Sequence, residues 1–183
     1  MAEKRARSSA QRRPPDGSSE QGGTVPLDDT DLAILRVLQA NARATFTEIG
    51  KAVGLSAPSA HDRVHRLERR GVLRGYQARL DPETLGLAVL SVVGVLPAGT
   101  ADASAMEAGF AEVEQVEVAY HVTGEESHLL VVRTHSMAEL SEVLQRIRRI
   151  EGVARARACV VLSTAFERGL MVERQERPPR PRS

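Results

Sequence analysis

Apolar residues between Leu27 and Gly71 fall into three short helical stripes, whereas from Leu85 onward most apolar runs have strand character. A chain that changes period midway is expected to hold two small units. Its 183 residues suffice for that and exclude a single large catalytic barrel. The first stripe opens on Leu27-Asp28-Asp29-Thr30-Asp31-Leu32, with Asp28 as N-cap, acids in the first turn and Leu27 stapled to Leu32. Ile34, Leu35 and Leu38 continue its buried face. The second starts at Thr45-Phe46-Thr47-Glu48, a capping-box spacing, carries Phe46, Ile49 and Val53, and stops at Gly54. Ser56 caps the third, Pro58 sits harmlessly in its first turn, and Gly71 ends it.

On that third helix Ala60, Val64 and Leu67 share one side, which predicts Asp62, His65, Arg66 and Arg69 close to the opposite, exposed side. Val72 to Leu80 reads as a short hairpin with Gly75 near its turn. Three helices followed by a hairpin form a winged helix-turn-helix. The charge agrees with that reading. Residues 27–82 hold nine basic and seven acidic side chains, while 83–172 hold seven and twelve. Within 56–79 the six arginines Arg63, Arg66, Arg69, Arg70, Arg74 and Arg79 face only Asp62 and Glu68, so this stretch is where a polyanion would dock.

The second half reads as a strand over Leu85–Leu96, a helix through Ala103, Met106 and Phe110, and a period-two strand through Val116, Val118, Tyr120 and Val122. After Gly124-Glu125-Glu126-Ser127 a strand spans His128–Thr134. Ser136-Met137-Ala138-Glu139 is a second capping box, its helix continues through Leu140, Leu144 and Ile147, and a last strand runs from Val153 to about Phe166. The order βαββαβ gives a ferredoxin-like α+β layer with two helices on one face of an antiparallel sheet. About 90 residues cannot cover the other apolar face, so sheet-to-sheet dimerisation is expected. The domains predicted are thus a disordered tail at 1–26, the winged helix-turn-helix at 27–82, the ferredoxin-like domain at 83–172 and a second disordered tail at 173–183.

Function classes fall away on composition. Aromatics are only 3% and tryptophan is absent, which disfavours stacking platforms for single strands. One cysteine, Cys159, excludes an internal disulfide and a cysteine zinc cluster, and its Val/Leu-rich setting predicts a buried, inert thiol. Lys4, Arg5 and Arg7 have no apolar run behind them, so a signal peptide is not expected and a reducing cytoplasm is. His61-Asp62-Arg63-Val64-His65 has the spacing of a zinc-peptidase helix, but Asp is a methylene short of the usual base and neighbouring arginines repel a cation. Neither a catalytic site, a metal site nor a cofactor is expected.

These residues in this order resemble the Lrp/AsnC family of bacterial feast/famine transcriptional regulators over about Leu27 to Glu167. The matching pieces include Leu27-Asp28 with Asp31, Leu55-Ser56, Arg63-Val64 with Arg66-Leu67-Glu68, Gly75-Tyr76, Leu80-Asp81-Pro82, Val122-Thr123-Gly124 and Gly152-Val153. The resemblance implies a cytoplasmic, nucleoid-associated regulator that binds double-stranded DNA, dimerises through its C-terminal domains and assembles to octamers or larger. It implies too that an amino acid or related metabolite modulates it, bound between dimers against the turn that joins the second and third strands.

Here that turn is Gly124, Glu125, Glu126, Ser127 and His128. The family commonly has an acid at the position of Ser127 and often an aromatic at that of His128. Gly124 can expose N–H groups to a carboxylate, but serine cannot pair with an ammonium as aspartate would. Weak amino-acid binding, a carboxylate lacking the ammonium, or an ordinary turn that binds nothing are the alternatives. For DNA, Ser59 and Asp62 in the N-terminal half of the helix are candidates for base edges, Arg63 and Arg66 for phosphates or guanine, His65 for either, Arg74 and Arg79 belong to the wing, and Ser56 and Arg69 complete the expected DNA-binding set. The competing class is a metabolite-binding or assembly module without specific DNA recognition.

Overall fold

The computed structural model describes residues 26–173; the tails expected at 1–26 and 173–183 lie outside them except for Pro26 and Glu173. Two compact units meet in sequence between Tyr76 and Gln77, with residues 171–173 grouped with the first.

The first unit contains α1 (Asp29–Ala40), α2 (Phe46–Val53) and α3 (Ala57–Arg69). Their ends are set by side-chain chemistry. Asp28 accepts from Asp31 N–H at 2.7 Å, Thr45 and Glu48 form a complete reciprocal capping box, and Ser56 accepts from Ser59 N–H at 3.3 Å. Gly54 closes α2 in the left-handed conformation, φ 73°. Ile34, Leu38, Ile49, Ala60, Val64 and Leu67 form the buried core, the set expected from the helical stripes. Phe46 is the exception, partly exposed at the start of α2. Between α2 and α3 the backbones approach so closely that a Cβ on Gly50 would sit 2.6 Å from the Leu55 carbonyl oxygen.

The expected hairpin over Val72–Leu80 is not formed. No strand occurs between α3 and Val89 among the described residues, and 74–81 forms neither helix nor strand. The stretch has strand-like composition, but a lone hairpin of this length is marginal without a third strand or a helix beneath it. Instead Tyr76 turns back to α3, its hydroxyl donating to Glu68 at 3.0 Å.

The second unit contains β1 (Val89–Pro97), α4 (Ala103–Ala111), β2 (Val116–His121), β3 (His128–Thr134), α5 (Met137–Arg148) and β4 (Val153–Val160). The sheet order is β2-β3-β1-β4 with every pair antiparallel, the expected split βαββαβ. Met106 and Phe110 from α4 and Leu140, Val143 and Ile147 from α5 pack with Val93, Val95, Leu130, Val132 and Ala156 on one face. The first and last strands are shorter than expected, because Pro82–Gly86 is a turn and pairing with β1 ends β4 near Val160. At α5, Ser136 caps as expected, but Glu139 reaches back to His135 N–H at 2.8 Å, one residue before the cap.

The opposite sheet face carries neither α4 nor α5. Across it run Val118, Val131, Val92 and Cys159 in register, then Tyr120, Leu129, Gly94 and Arg157. Cys159 is therefore exposed, not buried as its neighbours suggested: alternation puts it on the open face while Ala156 and Ala158 pack against the core. A bulge between Val116 and Val118 breaks the period-two pattern of β2, so Val116 packs on the helical side while Val118 and Tyr120 face out.

Candidate nucleic-acid interface and effector turn

Capped by Ser56 and anchored through Ala60, Val64 and Leu67, α3 presents Ser59, His61, Asp62 and Arg69 to solvent. Ser56 is committed as a cap, and its hydroxyl lies 2.9 Å from that of Ser59. Arg63 and Arg66 are placed differently from expectation. Arg63 donates to Asp28 at 2.6 Å and to Asp31 at 2.8 Å, and Arg66 donates to Asp31 at 2.9 and 3.1 Å. Asp31 is only 2% exposed, so both guanidiniums serve a buried carboxylate on α1 and do not simply decorate the outer face. At 100° per residue they flank the buried stripe, and their length carries the heads sideways to α1. The acids in the first turn of α1 were the available signal, although the sequence suggested only a cap and a favourable dipole for them. The Arg63 guanidinium in turn holds the Asp28 carboxyl below the usual carboxylate range, aided by the Asp31 N–H.

His65 is also engaged, with its Nδ1 2.6 Å from Glu68 and its Nε2 3.0 Å from Nε2 of His61. Phe46 lies edge-on to His61, centroids 4.8 Å apart, so this cluster joins α2 to α3. Burial pushes the Tyr76 phenol up to about 12, helped by its bond to Glu68. Of the two arginines assigned to a wing, Arg74 is exposed beside Gly75 in the first unit, and Arg79 in the second pairs with Glu167 at 3.1 Å.

In the other unit, the turn after β2 is held by Val122 N–H to Ser127 O and by Ser127 N–H to Val95 O, both 2.9 Å. Gly124 takes φ 132° with open space where a side chain would stand, and Glu125 is exposed. Glu126 folds over Gly94 on the open sheet face and accepts from Arg157 at 2.8 Å, which explains why that strand position has no side chain. Ser127 and His128 turn inward. The Ser127 hydroxyl lies 2.9 Å from His128 Nδ1, and His128 is fully buried beside Phe110, with Glu107 near its other nitrogen. Burial lowers the His128 pKa, partly opposed by Glu107. Only Gly124 and Glu125 of the five expected turn residues are thus exposed without a partner role in the hairpin's own support.

Residues 27–68 match the AsnC-type helix-turn-helix domain, and residues 90–171 match the Lrp/AsnC ligand binding domain. Among curated proteins, the chain is 40% identical over 140 residues to the HTH-type transcriptional regulator LrpA of Mycobacterium tuberculosis, covering 76% of this chain and 93% of the relative. Among solved structures, a feast or famine regulatory protein from M. tuberculosis complexed with L-methionine aligns with TM-score 0.77 and 38% identity over 81% of this chain and all of the other. An L-Met complex of a transcriptional regulator from Neisseria meningitidis aligns with TM-score 0.74 and 32% identity, covering 78% and 94%. Among the described residues no helix is long and apolar enough to cross a membrane. The order of the two matched domains and the near-complete coverage of such relatives establish that this chain belongs to the Lrp/AsnC family of HTH-type transcriptional regulators.

Proposed function

We propose that this regulator is a cytoplasmic, nucleoid-associated protein without catalytic activity that reads double-stranded DNA with the exposed side of α3. An amino acid or related carboxylate at the β2–β3 turn would modulate it. The observation that carries the reading is the contrast on α3 between arginines tied to α1 and the outward set Ser59, Asp62 and Arg69. Ser59 and Asp62 sit one turn apart at the N-terminal half, where a recognition helix meets base edges, and Arg69 and Arg74 suit phosphates. Arg63 and Arg66 hold α3 at its angle to α1, and any phosphate they meet is shared with Asp28 and Asp31.

The open apolar face of the second unit supports a homodimer, and further assembly to an octamer or larger would place the turns between dimers. Selection from a random pool of duplexes tests the DNA reading. We expect a pseudo-palindrome with half-sites roughly 34–36 Å apart or a multiple of that. Retained binding with no enriched sequence would instead favour the non-specific alternative.

The L-methionine complexes among similar structures support an amino-acid class of effector. Gly124 and Glu125 supply exposed backbone and one carboxylate, while Glu126 is held by Arg157. Calorimetry with amino acids and their keto-acid counterparts decides between the two ligand types.

A further inference from the structure

Beneath the same turn, three side chains from three elements converge: Glu107 of α4, His121 at the end of β2 and His128 at the start of β3. His121 and His128 are a directly opposed cross-strand pair, so both imidazoles project to the helical face of the sheet, where α4 lies. The rings stack, with centroids 4.7 Å apart and planes at 16°. Glu107 Oε1 lies 3.4 Å from His128 Nε2 and 3.8 Å from His121 Nδ1, and one donor atom from each residue falls within 4.8 Å of the others.

These separations are long for charge-assisted hydrogen bonds, which shorten to about 2.7–2.9 Å. The Glu107–His128 separation is what an ion requires, since two donors each about 2.0–2.1 Å from a tetrahedral centre stand roughly 3.3–3.4 Å apart, and exposed His121 has to turn out of the ring stack to aim its in-plane lone pair at the same point. We propose that Glu107, His121 and His128 form a binding site for a divalent transition ion of the Zn²⁺ type, clipping α4 to the β2–β3 hairpin.

Two imidazoles and a carboxylate suit Zn²⁺, Co²⁺ or Ni²⁺ and not the oxygen-seeking Mg²⁺ or Ca²⁺. The outer support is in place as well. With Nε2 toward the ion, His128 donates from Nδ1 to the Ser127 hydroxyl at 2.9 Å, and that hydroxyl faces the Val95 carbonyl at 3.4 Å. His128 is fully buried, whereas the side chains of Glu107 and His121 are 47% and 58% exposed, so the ion would enter from their side and keep a coordination position open to water. The excess of acidic over basic residues in 83–172 favours a cation there. Nothing in this proposal depends on the turn binding an effector.

The test uses the full-length protein, stripped with a chelator and titrated with Co²⁺, whose visible d–d absorption reports coordination, followed by Zn²⁺ displacement. His61 and His65 of α3 bring two imidazole nitrogens within 3.0 Å of each other, so background binding there has to be separated even though neighbouring arginines disfavour a cation. The quantity read is therefore the equivalent lost on substituting His121 or Glu107. Each of His121→Ala and Glu107→Gln should weaken that one equivalent per chain by at least about tenfold, and Ser127→Ala by about tenfold through loss of ring support. Both ligand positions are exposed, so the metal-free variants should melt as the unaltered chain does. No saturable binding by the unaltered chain, or a smaller loss in either ligand variant, overturns the proposal.

Discussion

Asp31 shows how a single residue can redirect a reading of charge. Buried and met by two guanidiniums, it makes Arg63 and Arg66 part of the fold of the first unit. Asp31→Ala should destabilise that unit by about 3 kcal/mol, at the low end for breaking a buried pair because both arginines keep some solvent. Thermal or urea unfolding measures it. By the same reasoning, Arg66→Ala should lower the melting temperature, whereas Arg69→Ala should leave it unchanged and reduce the slope of log affinity against log salt by about one unit. An unchanged melting temperature in Arg66→Ala would show that the Asp31 contact contributes nothing. Asp28 adds a pH dependence of known sign. Its folded pKa lies below the ordinary 3.8, so the unfolded chain binds the proton more readily; its contribution is full above the unfolded value and is lost as pH falls through the folded one. Its half-exposed carboxylate makes the effect small, and Asp28→Asn, which keeps the cap, should flatten stability against pH in that acid range.

At the scale of elements, the helices and strands that form among the described residues were all expected, and they follow from local signals that survive folding unchanged: caps at Asp28, Thr45, Ser56 and Ser136, the stop at Gly54, and the stripes that became the two cores. What was not legible depended on partners distant in sequence. Val72–Leu80 had strand composition but no neighbouring strand, Cys159 faced out because register placed it there, and His128 pointed inward because its cross-strand partner and α4 lie on that side. The same limit hid the Glu107, His121 and His128 cluster, whose members are 14 and 7 residues apart in sequence with no recognisable spacing. The α2–α3 junction carries a sharp prediction at this scale. A Cβ on Gly50 would strike the backbone oxygen of Leu55, so Gly50→Ala forces the helices apart at a cost of about 1–3 kcal/mol. Specific DNA affinity should fall with it, because the outward side of α3 is aimed by this junction. Full affinity in Gly50→Ala would separate recognition from the observed helix packing.

For the whole molecule, the decisive surface is the sheet face turned away from α4 and α5. Val118, Val131 and Val92 align across three strands with Tyr120 and Leu129 beside them, and Val92, Val118 and Tyr120 are exposed. Polar solvent-facing strands of antiparallel sheets usually alternate apolar-in with polar-out, and this face departs from that in its centre while Arg157, Glu126 and Arg133 occupy its margins. An apolar centre ringed by charge is the anatomy of an interface, and a two-fold pairing of identical faces would bury the valines of one copy against those of another. Val92→Glu in the full-length chain places a charge at the middle of the patch, where leaving the interface costs less than burying an unpaired carboxylate. Analytical ultracentrifugation should then show the dimer dissociating to a monomer that keeps its helix and strand content, because position 92 does not contribute to the core beneath α4 and α5. Since a single unit reads only one half-site, specific DNA affinity should fall together with dimer formation. A Val92→Glu protein that sediments as the unaltered chain does would rule out this face as the dimer interface.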